Sequence, residues 1–235
     1  MSFGTRALQF PPLLSGIATA GDPFEAALAS VETEIEPGAV FYGADPARLQ
    51  VAIVLAPEEP LNTALQVTFA ITLGMNDALG ALAPPEVGVH LVWPDRIKVN
   101  GAYCGELKVA ASTTDRTQEP DWLIVGLEMP MVLPGESEPG HDPDRTALAE
   151  EGCGDIMLPD LVESWGRHMM NWLHIYLTDG FEPLHREWRA KGDGLGEAVT
   201  YPEEGTFIGL DENGGMILKA GETTRILSLA DHLVR

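Results

Sequence analysis

In a chain with 36 acidic and 14 basic side chains, the residues best suited to polar chemistry are the few cations. The first 109 residues hold five of them: Arg6, Arg48, Arg96, Lys98 and Lys108. Three of these five fall inside Leu91–Val109, LVWPDRIKVNGAYCGELKV. A local positive spot of this kind suits an anionic ligand group, carboxylate or phosphate, because the surrounding surface repels one. Arg48 and Arg96 are the better candidates for that contact. Lys108 lies six residues beyond Ala102, roughly 20 Å along an extended strand. Strand alternation places Lys108 on one face with Ala102, Cys104 and Glu106, and Lys98 on the other with Tyr103. The same residue types also serve as solvated charges that discourage edge-to-edge pairing.

Other reactive groups are scattered. Cys104 falls on the expected ligand face, but a small buried hydrophobe is its simpler reading. Cys153 sits in a loop beside acids, which raise a thiol pKa. Two cysteines are too few for a disulfide framework and point to a reducing cytoplasm. The six histidines, His90, His141, His168, His174, His185 and His232, include no helical i, i+4 pair, so a zinc site is not expected. Trp93 can wall a ligand or simply fill the core, and Gly105 permits close approach of a ligand or of another backbone.

The elements that must position these residues are legible in the periodicity. Asp22-Pro23-Phe24-Glu25 is a helix start, and Phe24, Ala27, Leu28, Val31 and Ile35 follow on one stripe up to Pro37-Gly38. Leu49 to Ala56 reads as a buried strand. Leu61 to Leu82 reads as a helix covered on most sides; Asn62, Gln66, Asn76 and Asp77 exclude it as a membrane span. Val87 to Trp93, Ile97 to Val99, Ala102 to Ala110 and Trp122 to Leu127 read as strands. Asn100-Gly101 joins two of them as a type I′ hairpin. Pro130 to Pro159 is an irregular acidic connection with a short helix near Arg145 to Glu151. Asp160 to Thr178 and Phe181 to Arg189 follow as helices, the first ended by Gly180. From Gly192 onward, short strands between turns predict a small barrel.

The segment around Trp93 resembles the core motif of biotin protein ligases. There, a Trp-Pro-Asn-Asp run leads into a hairpin whose return strand carries Lys-x-x-Gly. Trp93 and Pro94 match, Asp95 and Arg96 stand at the Asn and Asp, Gly105 matches the hairpin glycine, and Ala102 stands at the catalytic lysine. Gly126-Leu127-Glu128-Met129-Pro130 falls where the family has Gly-x-Gly-x-Asn; Gly126 matches, and the second Gly and the Asn are lost. Gly205 to Leu229 is similar to the family's small SH3-like C-terminal domain. Between the first helix and first strand stands Gly43-Ala44-Asp45-Pro46-Ala47-Arg48. Neither a Gly-Arg-Gly-Arg loop nor the Arg-Arg-Ser-Gly-Gly run of the lipoate branch occurs there.

The resemblance implies an α+β fold: a mixed, mainly antiparallel sheet with packed helices over residues 1–190, then an SH3-like β-barrel over 191–235. It also implies an activity. Family members activate a carboxylate (biotin, lipoate or a fatty acid) with ATP and Mg, then transfer the acyl group to a lysine of an acceptor protein. The alternative is a non-catalytic relative, a pseudoenzyme that keeps the pocket and binds or senses a small carboxylate. Implied ligand contacts are Arg48, Trp93, Asp95, Arg96, Ala102, Cys104, Gly105 and Gly126, with no catalytic residue or metal ligand assigned. A scaffold that binds another protein is a third reading. The formal charge of −22 makes nucleic acid and anionic lipid poor partners.

Overall fold

The computed structural model describes residues 8–33, 35–133 and 144–234. The centre of the acidic connection, including His141, lies outside the described residues, as does Arg6. Seven strands form the main sheet: β1 (Ser15–Thr19), β2 (Ala39–Gly43), β3 (Arg48–Leu55), β4 (Val89–Val92), β5 (Arg96–Val99), β6 (Ala102–Ala111) and β7 (Leu123–Pro130). Their order is β1-β2-β3-β7-β6-β5-β4. Only the β1–β2 pair is parallel, so the sheet is mixed and mainly antiparallel.

Alternation along these strands sorts side chains between two buried layers. Val51 and Ile53 of β3, with Val125, Leu127 and Met129 of β7, face a large core. Two helices dominate it: α3 (Val67–Leu82), reached through the single turn α2 (Leu61–Ala64), and α4 (Leu158–Asp179). They meet at Gly74, where an added Cβ would lie 2.8 Å from the backbone of Met169. That approach bars any larger residue at this crossing. α5 (Glu182–Lys191) follows Gly180, whose φ of 78° ends α4.

The opposite face of the sheet is only partly covered. Helix α1 (Pro23–Ser30) packs there on Ala39, Phe41, Ala52, Val54 and Ile124. The carboxylate of Asp22 caps it, accepting from the Phe24 N–H at 2.7 Å. The expected stripe through Ile35 shortens to a helix ending at Ser30 and a 3-10 turn at Val31–Thr33. Beyond α1, no helix among the described residues covers the outer face of β5, β6 and β7.

The hairpin forms as expected, with Asn100 and Gly101 at positive φ and Val99 opposite Ala102. The expected sorting of its side chains between the two faces fails. The register shifts so that Lys98 pairs with Tyr103 but Ile97 with Gly105, leaving Cys104 as an extra residue. A bulge breaks the two-residue period. Cys104 therefore turns into the core, Ala102 pairs with the core residue Val99, and Lys98 and Tyr103, expected on the opposite face, stand on the outer face with Arg96 and Glu106.

The C-terminal region also departs from expectation. β8 (Ala198–Val199), β9 (Gly205–Leu210), β10 (Met216–Ala220) and β11 (Thr223–Leu227) form an open sheet in the order β11-β10-β9-β8, followed by α6 (Leu229–Leu233). The expected SH3-like barrel is not closed. β8 pairs through only two residues, too few to carry a ladder round to β11. The sheet's inner face, with Phe207, Met216 and Leu218, joins the large core instead of enclosing its own.

Candidate functional site

The open outer face of β5, β6 and β7 holds a cavity of about 160 Å³, lined by Arg96, Tyr103, Cys104, Gly105, Glu106, Glu128, Pro130, Arg145 and Thr146. Strand pairing builds its floor. Arg96, Glu106 and Glu128 are successive partners across the three strands, so their side chains stand in one row. Past the end of β7 the chain returns beside Tyr103, whose N–H donates to the Asp144 carbonyl at 2.7 Å; the Thr146 N–H donates to Tyr103 at 2.9 Å. That pairing sets Arg145 at the rim.

Glu128 controls the charge of this face. Its carboxylate accepts from Arg48 at 2.8 Å, from Lys108 at 3.3 Å and from the Gln50 amide at 3.4 Å. Arg48, expected to meet a ligand, and Lys108 beside it are thus held by an acid of the chain itself. Arg96 is held differently. Its guanidinium lies 3.6 Å from the Tyr201 ring centroid and 5.1 Å from that of Tyr103. Stacking occupies the faces of a guanidinium and leaves its N–H edges for a planar anion. The Tyr201 hydroxyl donates to Asp95 at 2.6 Å, so the stacking ring is itself anchored. Lys98 lies across Tyr103, paired with Asp193 at 2.7 Å, beside a second cavity of about 280 Å³.

The remaining expected contacts are dispersed. Trp93 is 1% exposed, and its indole N–H donates to the Gly214 carbonyl at 2.8 Å. It belongs to the join between the two sheets. Gly105 faces inward, where an added Cβ would meet Met129 at 2.7 Å. Gly126 faces outward, but Phe24 of α1 covers it, and an added Cβ there would lie 2.7 Å from that ring. The groove narrows there to a space of about 10 Å³. Ala102, at the end of the hairpin turn, is partly buried and supplies no charge. The cavity therefore gathers Arg96, Cys104 and Gly105, and leaves out Arg48, Trp93, Asp95, Ala102 and Gly126.

Cys104, turned into the core beneath this floor, adds no charge to it. Burial, with lesser contributions from Glu151 and Cys153, pushes its thiol up to about 12. At pH 8 its thiolate fraction is then on the order of a thousandfold below that of a free cysteine. Thiol titration of the native protein at pH 8 should leave Cys104 unreacted until denaturant is added; rapid native modification would contradict this. The sign of the linked stability follows. Above about pH 9 an unfolded thiol ionises while the folded one keeps its proton, so stability falls as pH rises toward 12.

A family model described as the biotin/lipoate A/B protein ligase family matches residues 10–190. The chain belongs to that family. A biotin–[acetyl-CoA-carboxylase] ligase of Paracoccus denitrificans is 24% identical over 238 residues, spanning 98% of this chain and 95% of that protein. Among solved structures, a biotin protein ligase-like protein of unknown function from Silicibacter sp. TM1040 is 44% identical. It aligns with a TM-score of 0.91, covering 97% of this chain and 100% of that one. The biotin protein ligase of Aquifex aeolicus in complex with biotin and ATP shares the fold at 17% identity. Its TM-score is 0.69 over 92% of this chain and 94% of that one.

Against the family motif, Glu128 stands at the second glycine of Gly-x-Gly-x-Asn. A carboxylate thus stands where the motif has a residue without a side chain. The altered motif marks Glu128 in the sequence. Phe24, Arg145 and Tyr201 carry no such mark, because each reaches the site through long-range packing.

Proposed function

We propose that this member of the biotin/lipoate ligase family binds a small carboxylate in the cavity beside Glu106 and does not activate it with ATP. The observation that carries this reading is Glu128, which satisfies Arg48 and Lys108 at the place where the family motif has a glycine. Adenylate formation brings a carboxylate against an α-phosphate and builds negative charge at phosphorus. The residues here do not suit ATP: Glu106 and Glu128 face the cavity, and Ala102 stands at the lysine position. Among the described residues no group of three His, Cys, Asp or Glu side chains is arranged to hold a metal ion. Arg96 and Arg145 remain to meet the carboxylate.

A second reading, an active ligase that loads biotin or lipoate onto an acceptor protein, draws support from the Paracoccus denitrificans relative along nearly the whole chain. One pair of measurements separates the two. Biotin, lipoate, octanoate and shorter carboxylates are screened by thermal shift with and without ATP and Mg, and pyrophosphate exchange is followed with each. The binding reading expects a rise in Tm with at least one carboxylate, unchanged by ATP, and no exchange. Exchange with any of these acids would replace it with the ligase reading. No thermal response to any carboxylate would remove it.

A further inference from the structure

We propose that the cavity on the outer face of β5–β7 takes a small zwitterion of the α-amino acid class, its carboxylate met by Arg96 and Arg145 and its ammonium by Glu106. This rests on the small-carboxylate reading above and adds a second charge to the ligand. Among the described residues, the charges lining the cavity are two arginines and two glutamates. They are not equivalent. Glu128 is committed to Arg48 and Lys108. Glu106, Arg96 and Arg145 make no ion pair among the described residues, although Arg96 and Glu106 are direct partners across β5 and β6. Stacking on Tyr201 and Tyr103 holds Arg96 in place of such a pair.

An anionic and a cationic group thus face one small space without neutralising each other. A ligand that is only a carboxylate would satisfy the arginines and bring its charge close to Glu106. A ligand that is only an amine would do the reverse. A molecule with both charges satisfies both sides. The spacing selects among zwitterions. Adjacent strands lie about 4.8 Å apart, so the two poles must be close, as on one α-carbon. Poles at the two ends of a long chain would not match. The volume of about 160 Å³ agrees, being smaller than the roughly 300–1,000 Å³ of drug-sized ligand pockets. The rings of Tyr103 and Pro130 offer apolar contact for a short side chain.

The test is calorimetric titration of the full chain with three probes of matched length: L-norleucine, hexanoate and hexylamine. L-Norleucine should bind about tenfold or more tighter than either of the others, as one added charge-assisted contact requires. Glu106→Gln should bring L-norleucine down to the level of hexanoate and leave hexanoate no weaker. Circular dichroism of the variant checks that it remains folded, and Glu106 is exposed on its strand. If hexanoate binds wild type as tightly as L-norleucine, the zwitterion inference fails and the small-carboxylate reading stands. If L-norleucine does not bind while octanoate or biotin raises Tm, the inference again fails alone. An L-norleucine affinity indifferent to Glu106→Gln also overturns it.

Discussion

Trp93→Ala will lower stability by about 3–5 kcal/mol, the range for removing a fully buried large aromatic. The indole is 1% exposed and donates its N–H to the carbonyl of Gly214, in the turn between β9 and β10. Its ring lies 5.3 Å from that of His232 on α6. The substitution therefore leaves a cavity and a carbonyl without its donor where the C-terminal sheet meets the hairpin. It strikes the same place from both sides. Denaturant unfolding would read the loss as a lower midpoint, and Trp93→Phe separates the two contributions. Phenylalanine keeps most of the packing and loses the hydrogen bond, so it should recover more than half of the deficit. If Trp93→Ala unfolds at the wild-type midpoint, the indole is not what joins the sheets.

That role for Trp93 shows where sequence reasoning stops. Trp93-Pro94 was legible as a motif, and the hairpin after it as Asn100-Gly101, because both are written in adjacent residues. β3 and α3 were equally legible, β3 as a short β-branched apolar run and α3 as a longer one with polar residues inside it. β1 and β2 were not. β2 is buried on both faces like β3, but it offers only Ala39 to Tyr42 between Gly38 and Gly43, a run too short to read. β1 is a short edge strand, and its register comes from β2. The open C-terminal sheet was expected as a closed barrel because short strands and turns are the same in both. Closure depends on how many residues β8 contributes, and that is set by tertiary contacts.

The candidate site divides in the same way. Glu106 and Lys108 could be placed together by alternation along β6, but Arg96, Lys98, Tyr103 and Cys104 could not be placed relative to them, because one bulged residue reverses the face of everything before it. Arg48 was legible as a cation near the ligand face; its partner was not, since Glu128 lies 80 residues away. Phe24 was legible as the start of α1, but nothing local says that its ring covers Gly126. Local patterning specifies elements well and pairings across the sheet only where a turn fixes the register.

Glu128→Gly and Glu128→Gln should each raise affinity for inorganic pyrophosphate by about tenfold or more, equivalent to about 1.4 kcal/mol. In the native protein one carboxylate accepts from Arg48, Lys108 and Gln50. Removing its charge releases two cations and an amide onto the sheet face and withdraws an anion that repels phosphate. A new anion can then take charge-assisted hydrogen bonds from the same donors. The folded state should tolerate the change. Arg48 and Lys108 are 47% and 44% exposed, and ion pairs of that exposure contribute at most about 1 kcal/mol. Glycine differs from glutamine in also restoring space over the strand, so Glu128→Gly should gain more. Glu58→Gln changes net charge by the same one unit at a remote exposed position and should leave pyrophosphate affinity unchanged. The gain should also shrink as salt rises from 50 mM to 500 mM, because partly exposed cations are screened. Equal pyrophosphate binding by wild type and both Glu128 variants would mean that Arg48 and Lys108 do not face an anion-accessible groove. Glu128 would then be an ordinary surface acid with no part in ligand choice.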